Sequence, residues 1–280
     1  MNTTTSALLA RLDLNPAAAK ALKTAAQLWF VAAAVGLVIF AYFIVVFYGP
    51  SSLSGNFEAW TKNKMLLKGY VAGDTVGNLF FAAHVLLAAI IAFVGLLQLV
   101  PQIRTRAAGI HRWNGRVFLV AVMAASIVGL YLTWVRGTNP VIVGSLAISL
   151  DALLILTFAA LAWRAARARD FVSHRRWALR TFIVACGVWF QRLGYMAWLI
   201  INQGPVGITE NMDGAFDIVW GFACYLLPLG LLEIYLRAKD SRSPRARFAM
   251  AGALLVFTGV MVVGIFGATM FMWRPILAKV

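Results

Sequence analysis

The chain has three histidines, and two of them lead stretches that echo each other. Residues 104–118 read Arg-Thr-Arg-Ala-Ala-Gly-Ile-His-Arg-Trp-Asn-Gly-Arg-Val-Phe, a basic turn between two long apolar runs. Downstream, Arg176-Trp177, Arg180 and Phe182 repeat the spacing of Arg112-Trp113, Arg116 and Phe118, with His111 and His174 ahead of the two copies. Two imidazoles from different helices at matching depth are the minimum ligand set for a bis-histidine haem b, and neighbouring arginines suit its propionates. That chemistry nominates His111 and His174 as ligands and Arg112, Arg116 and Arg180 as anion partners, or else His84 as one ligand of an outer-half site. A plainer reading stands beside it. Arg and Trp are the residues a membrane interface favours, where they meet anionic headgroups and anchor the chain.

A second group is conspicuous because it is costly. Asp151 and Arg192 fall inside apolar runs, and an ionisable group at such depth needs a partner or a watery cavity. At 1.5 Å of rise per residue both lie roughly 15 Å below the nearer membrane face, and His84 roughly 10 Å below it. The two charges are therefore expected to pair, with Gln191 and Tyr195 beside them in a polar layer. His84, Asp151, Gln191, Arg192 and Tyr195 then make a ligand or proton site, or Asp151 and Arg192 make a structural ion pair. Small and polar residues recur at helical spacing on two runs, as His84, Ala88, Ile91, Gly95, Gln98 and Gln102 and as Val122, Ser126, Gly129 and Thr133. Such stripes also serve ordinary close helix packing.

The elements that must hold these residues are transmembrane helices. Apolar residues make up 62% of the chain and charged residues only 12%, above what a soluble globular chain carries. Runs near the ~20 residues that a helix needs to cross a bilayer lie at 25–48, 78–103, 117–135, 141–163, 181–202, 215–236 and 248–273. The expected fold is thus all-α: a seven-span polytopic domain over 25–273, preceded by a segment 1–24 and followed by a short tail 274–280. Asn15-Pro16 reads as a helix start, and the first run is too long for a signal-peptide core, so a retained anchor is expected. Residues 57–67 mix aromatics with charges, as an interfacial helix or a lid over a site would.

The formal charge of +15 would suggest nucleic acid in a soluble protein, but here the basic residues lie between the apolar runs. Arg11, Lys20, Lys23, the groups at 104–116 and 164–180, and Arg237 to Arg247 alternate onto one side. The other side holds Lys62, Lys64, Lys68, Arg136, Arg274 and Lys279. The positive-inside rule puts the N-terminus and both echoing turns in the cytoplasm and the C-terminus outside, in a cytoplasmic (inner) membrane. Spans two to five then form two hairpins around the two turns. They read as a four-helix core, possibly a duplication, with spans one, six and seven outside it. Cys186 and Cys224 have no metal or redox spacing and read as small buried hydrophobes.

His84, Gln98 and Pro101, then His111-Arg112 with Gly115-Arg116, and later His174-Arg175 with Trp177 and Arg180, resemble a family of predicted bacterial multi-pass membrane proteins known only as a domain of unknown function, DUF2306. The resemblance covers spans two to five and implies a membrane protein without implying an activity. In layout these hairpins are also similar to cytochrome b561-type and haem-synthase-type four-helix cores, which use two histidines per haem at matching depth. His84 has no histidine at its level, which speaks against two haems.

No P-loop, dinucleotide fingerprint, H-E-x-x-H or G-x-S-x-G motif is present, so phosphoryl transfer and zinc proteolysis are not expected. Three functions remain in order: haem b-type cofactor binding with membrane electron transfer; transport or binding of a small ligand through the outer polar layer; and a non-catalytic subunit or assembly factor for a respiratory or other membrane partner. Anionic lipid headgroups are the expected contacts of the basic turns.

Overall fold

The computed structural model describes residues 15–63, 69–139 and 141–279. Among these every regular element is helical. α1 (Pro16–Ser54) starts where Asn15 accepts the Ala18 N–H at 3.0 Å and where Pro16 costs no helical hydrogen bond. A short 3₁₀ turn (Phe57–Lys62) leads toward α2 (Thr75–Leu99), and α3 (Pro101–Arg106) and α4 (Ala108–Trp134) follow. Next come α5 (Ile142–Arg167), α6 (Phe171–Ala185), α7 (Gly187–Asn202), α8 (Ala215–Asp240), α9 (Pro244–Gly267), a π-helical turn (Ala268–Trp273) and α10 (Arg274–Leu277).

Among the described residues six helices are individually long and apolar enough to cross a bilayer, and α6 with α7 makes a seventh if the bent pair is one span. The protein is an all-helical polytopic membrane protein. The fifth span is not the straight run 181–202 that hydropathy alone suggests. Helix here begins at Phe171, and the pair α6 and α7 bends by 50° around Cys186. There the Cys186 N–H is shared between the Phe182 and Ile183 carbonyls at 3.2 Å each, so the regular ladder lapses for one residue. The 3₁₀ turn occupies the start of the stretch expected as an interfacial helix or lid; its continuation at 64–68 lies outside the described residues.

Neighbour relations differ from a four-helix core with three helices outside it. α1 packs on α2, α2 on α4, α4 on α5, α5 on α6, α6 and α7 on α8, and α7 on α9, which returns to α1. Spans one and seven are thus links in a circuit. Close approach explains why: a Cβ on Gly264 of α9 would stand 2.5 Å from the Leu193 carbonyl oxygen of α7, and one on Gly36 of α1 would stand 2.7 Å from both Trp189 and Ile265. Aromatic packing of Trp273 on Phe40 and Phe43, at 5.5 and 5.9 Å, seals the α1–α9 seam.

The two ends of the bundle are tied differently. At the end away from the echoing turns, Asp74 caps α2 by accepting the Gly77 N–H at 2.8 Å and pairs with Arg136 from the end of α4 at 2.8 Å. Arg136 also donates to the Gly69 carbonyl and to the Asn78 side chain. The Gly77 N–H, with the Arg136 guanidinium behind it, holds the Asp74 carboxyl below its usual range. Lys62 reaches the Lys279 carbonyl at 2.8 Å at this same end.

Candidate ligand chamber at the basic end

Among the helices lies a partly open cavity of about 2110 Å³, lined by residues from every spanning helix. Its depth is apolar, with Phe30, Phe182, Phe190, Leu193, Trp220, Leu232 and Met261 on the walls. Its mouth is basic. Lys23, Arg104, Arg112, Arg116, Arg167, Arg175, Arg176, Lys239 and Arg247 line it, against Asp240 as the acidic lining residue, and His111 and His174 are both on it. The basic groups that sequence order assigned to one side of a membrane therefore meet at one end of the bundle.

Each copy of the echoing turn delivers its histidine by a defined local structure. In the first, Gln98 near the end of α2 donates to the His111 carbonyl at 3.0 Å, and Asn114 donates to the Val94 carbonyl at 2.8 Å. Gly115 leaves room for this clasp, since a Cβ there would stand 3.2 Å from the Gln98 Oε1. In the second, Asp170 caps α6 through the Ser173 N–H at 3.0 Å, and bonding to Ser173 keeps the Asp170 carboxyl below its usual range. His174 one turn later sets its Nδ1 2.9 Å from the Ala162 carbonyl. A carbonyl can only accept, so that contact places the proton on Nδ1 and leaves the His174 Nε2 lone pair available. His111 Nδ1 is buried with no hydrogen-bond partner among the described residues, and His111 lies within electrostatic range of Arg104 and His174. Two imidazoles and a group of cations thus share one lining.

The local chemistry of the two turns matches further. Arg116 lies over Trp113 at 5.0 Å and Arg180 over Trp177 at 4.5 Å, while Phe118 and Phe182 face each other across the interior at 6.4 Å. They differ in what the arginine does. Arg116 lines the chamber, whereas Arg180 is engaged by Glu233 of α8 through two bonds of 2.6 and 2.9 Å and lies off the lining. Arg180 is therefore a structural ion pair between α6 and α8 here. Arg176, in the same turn, pairs with Asp240 at 2.5 Å. Trp113 is 67% exposed on the outer surface, as an interfacial anchor should be.

The other group of expected site residues is not brought together as a layer. Asp151 and Arg192 make no ion pair: Arg192 turns toward α1, over the Phe40 ring at 5.6 Å, while Asp151 packs against Gly187 at the break in the fifth span. Gly187, which Asp151 touches, and Arg192 are both on α7 and about 140° apart around it, so the two charges meet different neighbours. Asp151 Oδ1 is buried without a hydrogen-bond partner among the described residues, and Cys186, Cys224 and Tyr225 are titratable groups near it. Tyr195 donates to Asp217 at 2.6 Å, and Asp217 also accepts the Thr209 and Gly214 N–H groups at 3.0 Å, so both residues secure the loop before α8. Gln191 gives its carbonyl to the Trp220 indole at 3.1 Å. His84 Nδ1 lies 3.0 Å from the Ala125 carbonyl of α4, against Gly129. None of these five lines the chamber.

Glu233, Asp217 and Asp74 are the partners that sequence reasoning missed. The signal was available in part, because only ten acidic residues exist and Glu233 falls on the sixth span near the depth of Arg180.

Fold and chamber together define a polytopic all-helical membrane protein whose helices surround an apolar space with a cationic mouth. The chain belongs to the DUF2306 family of predicted membrane proteins, whose profile matches residues 81–236, over half of its length and from α2 to α8. No curated protein and no solved structure matches it.

Proposed function

We propose that this protein binds a large amphiphilic anion, its apolar body inside the helix circuit and its negative groups on the basic mouth. The observation that carries this reading is one cavity of about 2110 Å³ that is apolar in depth and ringed by arginine, lysine and two histidines at one end. Apolar walls hold a hydrocarbon or a flat ring by burial alone, and guanidinium forks supply charge-assisted bonds to carboxylate or phosphate oxygens. The distribution of basic residues supports an orientation in which the mouth faces the cytoplasm, with the N-terminus on the same side and the C-terminus opposite, in a cytoplasmic membrane.

Haem b is the member of that class for which individual residues make a case. His174 keeps Nε2 free, His111 lines the same cavity, and Arg112 and Arg116 on the lining suit propionates. Bound there, haem would supply one-electron transfer, and the chain would supply its ligands, its propionate partners and a dry apolar wall. Arg180 is not needed for this, being held by Glu233.

The test is a reduced-minus-oxidised visible spectrum of protein purified in mild detergent, together with analysis of its organic extract. A b-type spectrum lost in His111→Ala and His174→Ala assigns haem. An extract enriched in one anionic lipid, with no spectrum, assigns a lipid-type ligand. An extract matching the bulk membrane, with no spectrum, rejects the proposal.

A further inference from the structure

The chamber is open along one side as well as at its mouth. α2 ends at Leu99 because Val100, held extended ahead of Pro101 (φ −74°, ψ 113°), breaks the helix. Tyr48 of α1 meets Phe81 of α2 at 6.3 Å, and eighteen residues of α2 follow Phe81. The two helices run antiparallel with equal rise, so α2 stops opposite about residue 30 of α1. From there α1 runs on to Pro16, roughly 20 Å further, with no α2 beside it. Among the described residues α1 packs on α2 and α9 and has no extended contact with α3 or α4. Beside this overhang lies the corner between α2 and α3, and α3 buries no residue.

The lining shows that the space between them is a slit into the chamber. Lys23, Gln27 and Val31 lie one turn apart along α1; all three are exposed and all three line the chamber. Leu99, Val100, Pro101 and Gln102 line it from the other side. Val31 is the informative residue. The face that α1 turns to lipid is the stripe Leu28, Val31, Val35, Val38, Tyr42 and Val45, each between 49% and 62% exposed. Val31 therefore belongs to the lipid-facing surface and to the chamber at once, which a closed wall would not allow.

The chemistry along the slit is graded. Lys23 and Gln27 of α1 with Gln102 and Arg104 of α3 make its polar end, and Val31, Leu99 and Val100 make its apolar end. From Lys23 to Val31 is roughly 12 Å, enough to reach from headgroup level into hydrocarbon. An anionic amphiphile standing in the leaflet presents the same order, charge above and hydrocarbon below, and can slide in without its apolar body crossing water.

We infer that the chamber takes its ligand sideways, from the leaflet at the basic end through this slit, so that the ligand is a membrane-dissolved anionic amphiphile and not a water-borne anion. This route presupposes that the chamber binds an amphiphilic anion, and it adds the phase that supplies it.

The experiment follows loading by time-resolved native mass spectrometry of the full chain in nanodiscs of dioleoyl phosphatidylcholine. One probe is dioleoyl phosphatidic acid, generated inside the bilayer by adding phospholipase D; the other is dihexanoyl phosphatidic acid, dissolved in the buffer. The wild type should acquire both. Gln27→Trp with Val31→Trp, which crowds the slit and leaves the cations of the mouth in place, should acquire the bilayer probe about tenfold more slowly or worse, and the dissolved probe at the wild-type rate. Val31→Cys, blocked with a bulky maleimide after purification, should do the same without a burden on folding, since Cys186 and Cys224 are buried. A bilayer probe acquired at the wild-type rate by both blocked forms, both probes slowed alike, or a wild type that acquires only the dissolved probe overturns the lateral route and leaves the chamber reading standing. A wild type that acquires neither probe removes the chamber reading, and the route with it.

Discussion

Removing Arg180 separates two accounts of the second basic turn. If that arginine belongs to the ligand, its loss should weaken ligand retention and spare the fold; if Glu233 holds it, stability should fall. The structure favours the second outcome. The pair is bidentate at 2.6 and 2.9 Å, its side chains are 17% and 33% exposed, and the guanidinium also lies over Trp177. Breaking a fully buried pair by deleting one partner costs ~3–5 kcal/mol, most of it from the stranded charge. With a third of Glu233 accessible, Arg180→Ala should cost about 2 kcal/mol. At ~2–4 °C per kcal/mol for a chain of this size, that lowers the midpoint by about 4–8 °C in a thermal denaturation in detergent. Glu233→Gln should cost less, because the remaining guanidinium keeps its stack on Trp177. The double variant should be more stable than the sum of the single losses, by about 1 kcal/mol or more of coupling. Additive losses, or an unchanged midpoint in Arg180→Ala, would refute the reasoning and return Arg180 to the ligand.

Other perturbations follow from particular contacts. Tyr195→Phe leaves Asp217 short of one charge-assisted bond and should cost about 1.5–3 kcal/mol, read as a lower midpoint and earlier proteolysis in the loop at 203–214. Gly264→Val drives side-chain atoms against the Leu193 backbone and should cost about 1–3 kcal/mol, whereas Gly252→Ala, with open space around it, should be neutral. Acid should loosen the end that Asp74 holds. Its folded pKa lies below the unfolded value of about 4, so its contribution is complete above that value and is lost as pH falls through the folded one. Asp74→Asn should remove that acid-dependent part of the midpoint curve measured between neutral pH and roughly pH 3.

Much of the architecture was legible because a bilayer constrains sequence strongly. Apolar runs marked the spans, and Asn15-Pro16 marked the start of α1. The alternation of basic residues foretold that Lys23, Arg104, Arg175 and Arg247 would meet at one end. What stayed hidden depends on pairing and direction. The bend at Cys186 comes from one residue's backbone and has no hydropathic signature. For Asp151 and Arg192, rise per residue suggested a pair from depth alone, and depth carries no azimuth. The circuit in place of a four-helix core follows from glycines such as Gly36 and Gly264, whose close partners lie on helices distant in sequence. That His111 and His174 share one lining was legible because both lead the same local motif. The role of Arg180 was not, since Glu233 lies 53 residues away.

The central claim is that the chamber holds an amphiphilic anion by its basic mouth. Native mass spectrometry of the detergent-purified protein tests it most directly, on the wild type, on Arg112→Gln with Arg116→Gln, and on Ala178→Trp, which fills the cavity from its lining. The account predicts one discrete bound species on the wild type, depleted by the charge variant and absent from the filled one. A wild type with no adduct beyond exchangeable bulk phospholipid, or an adduct retained equally in all three proteins, would contradict it.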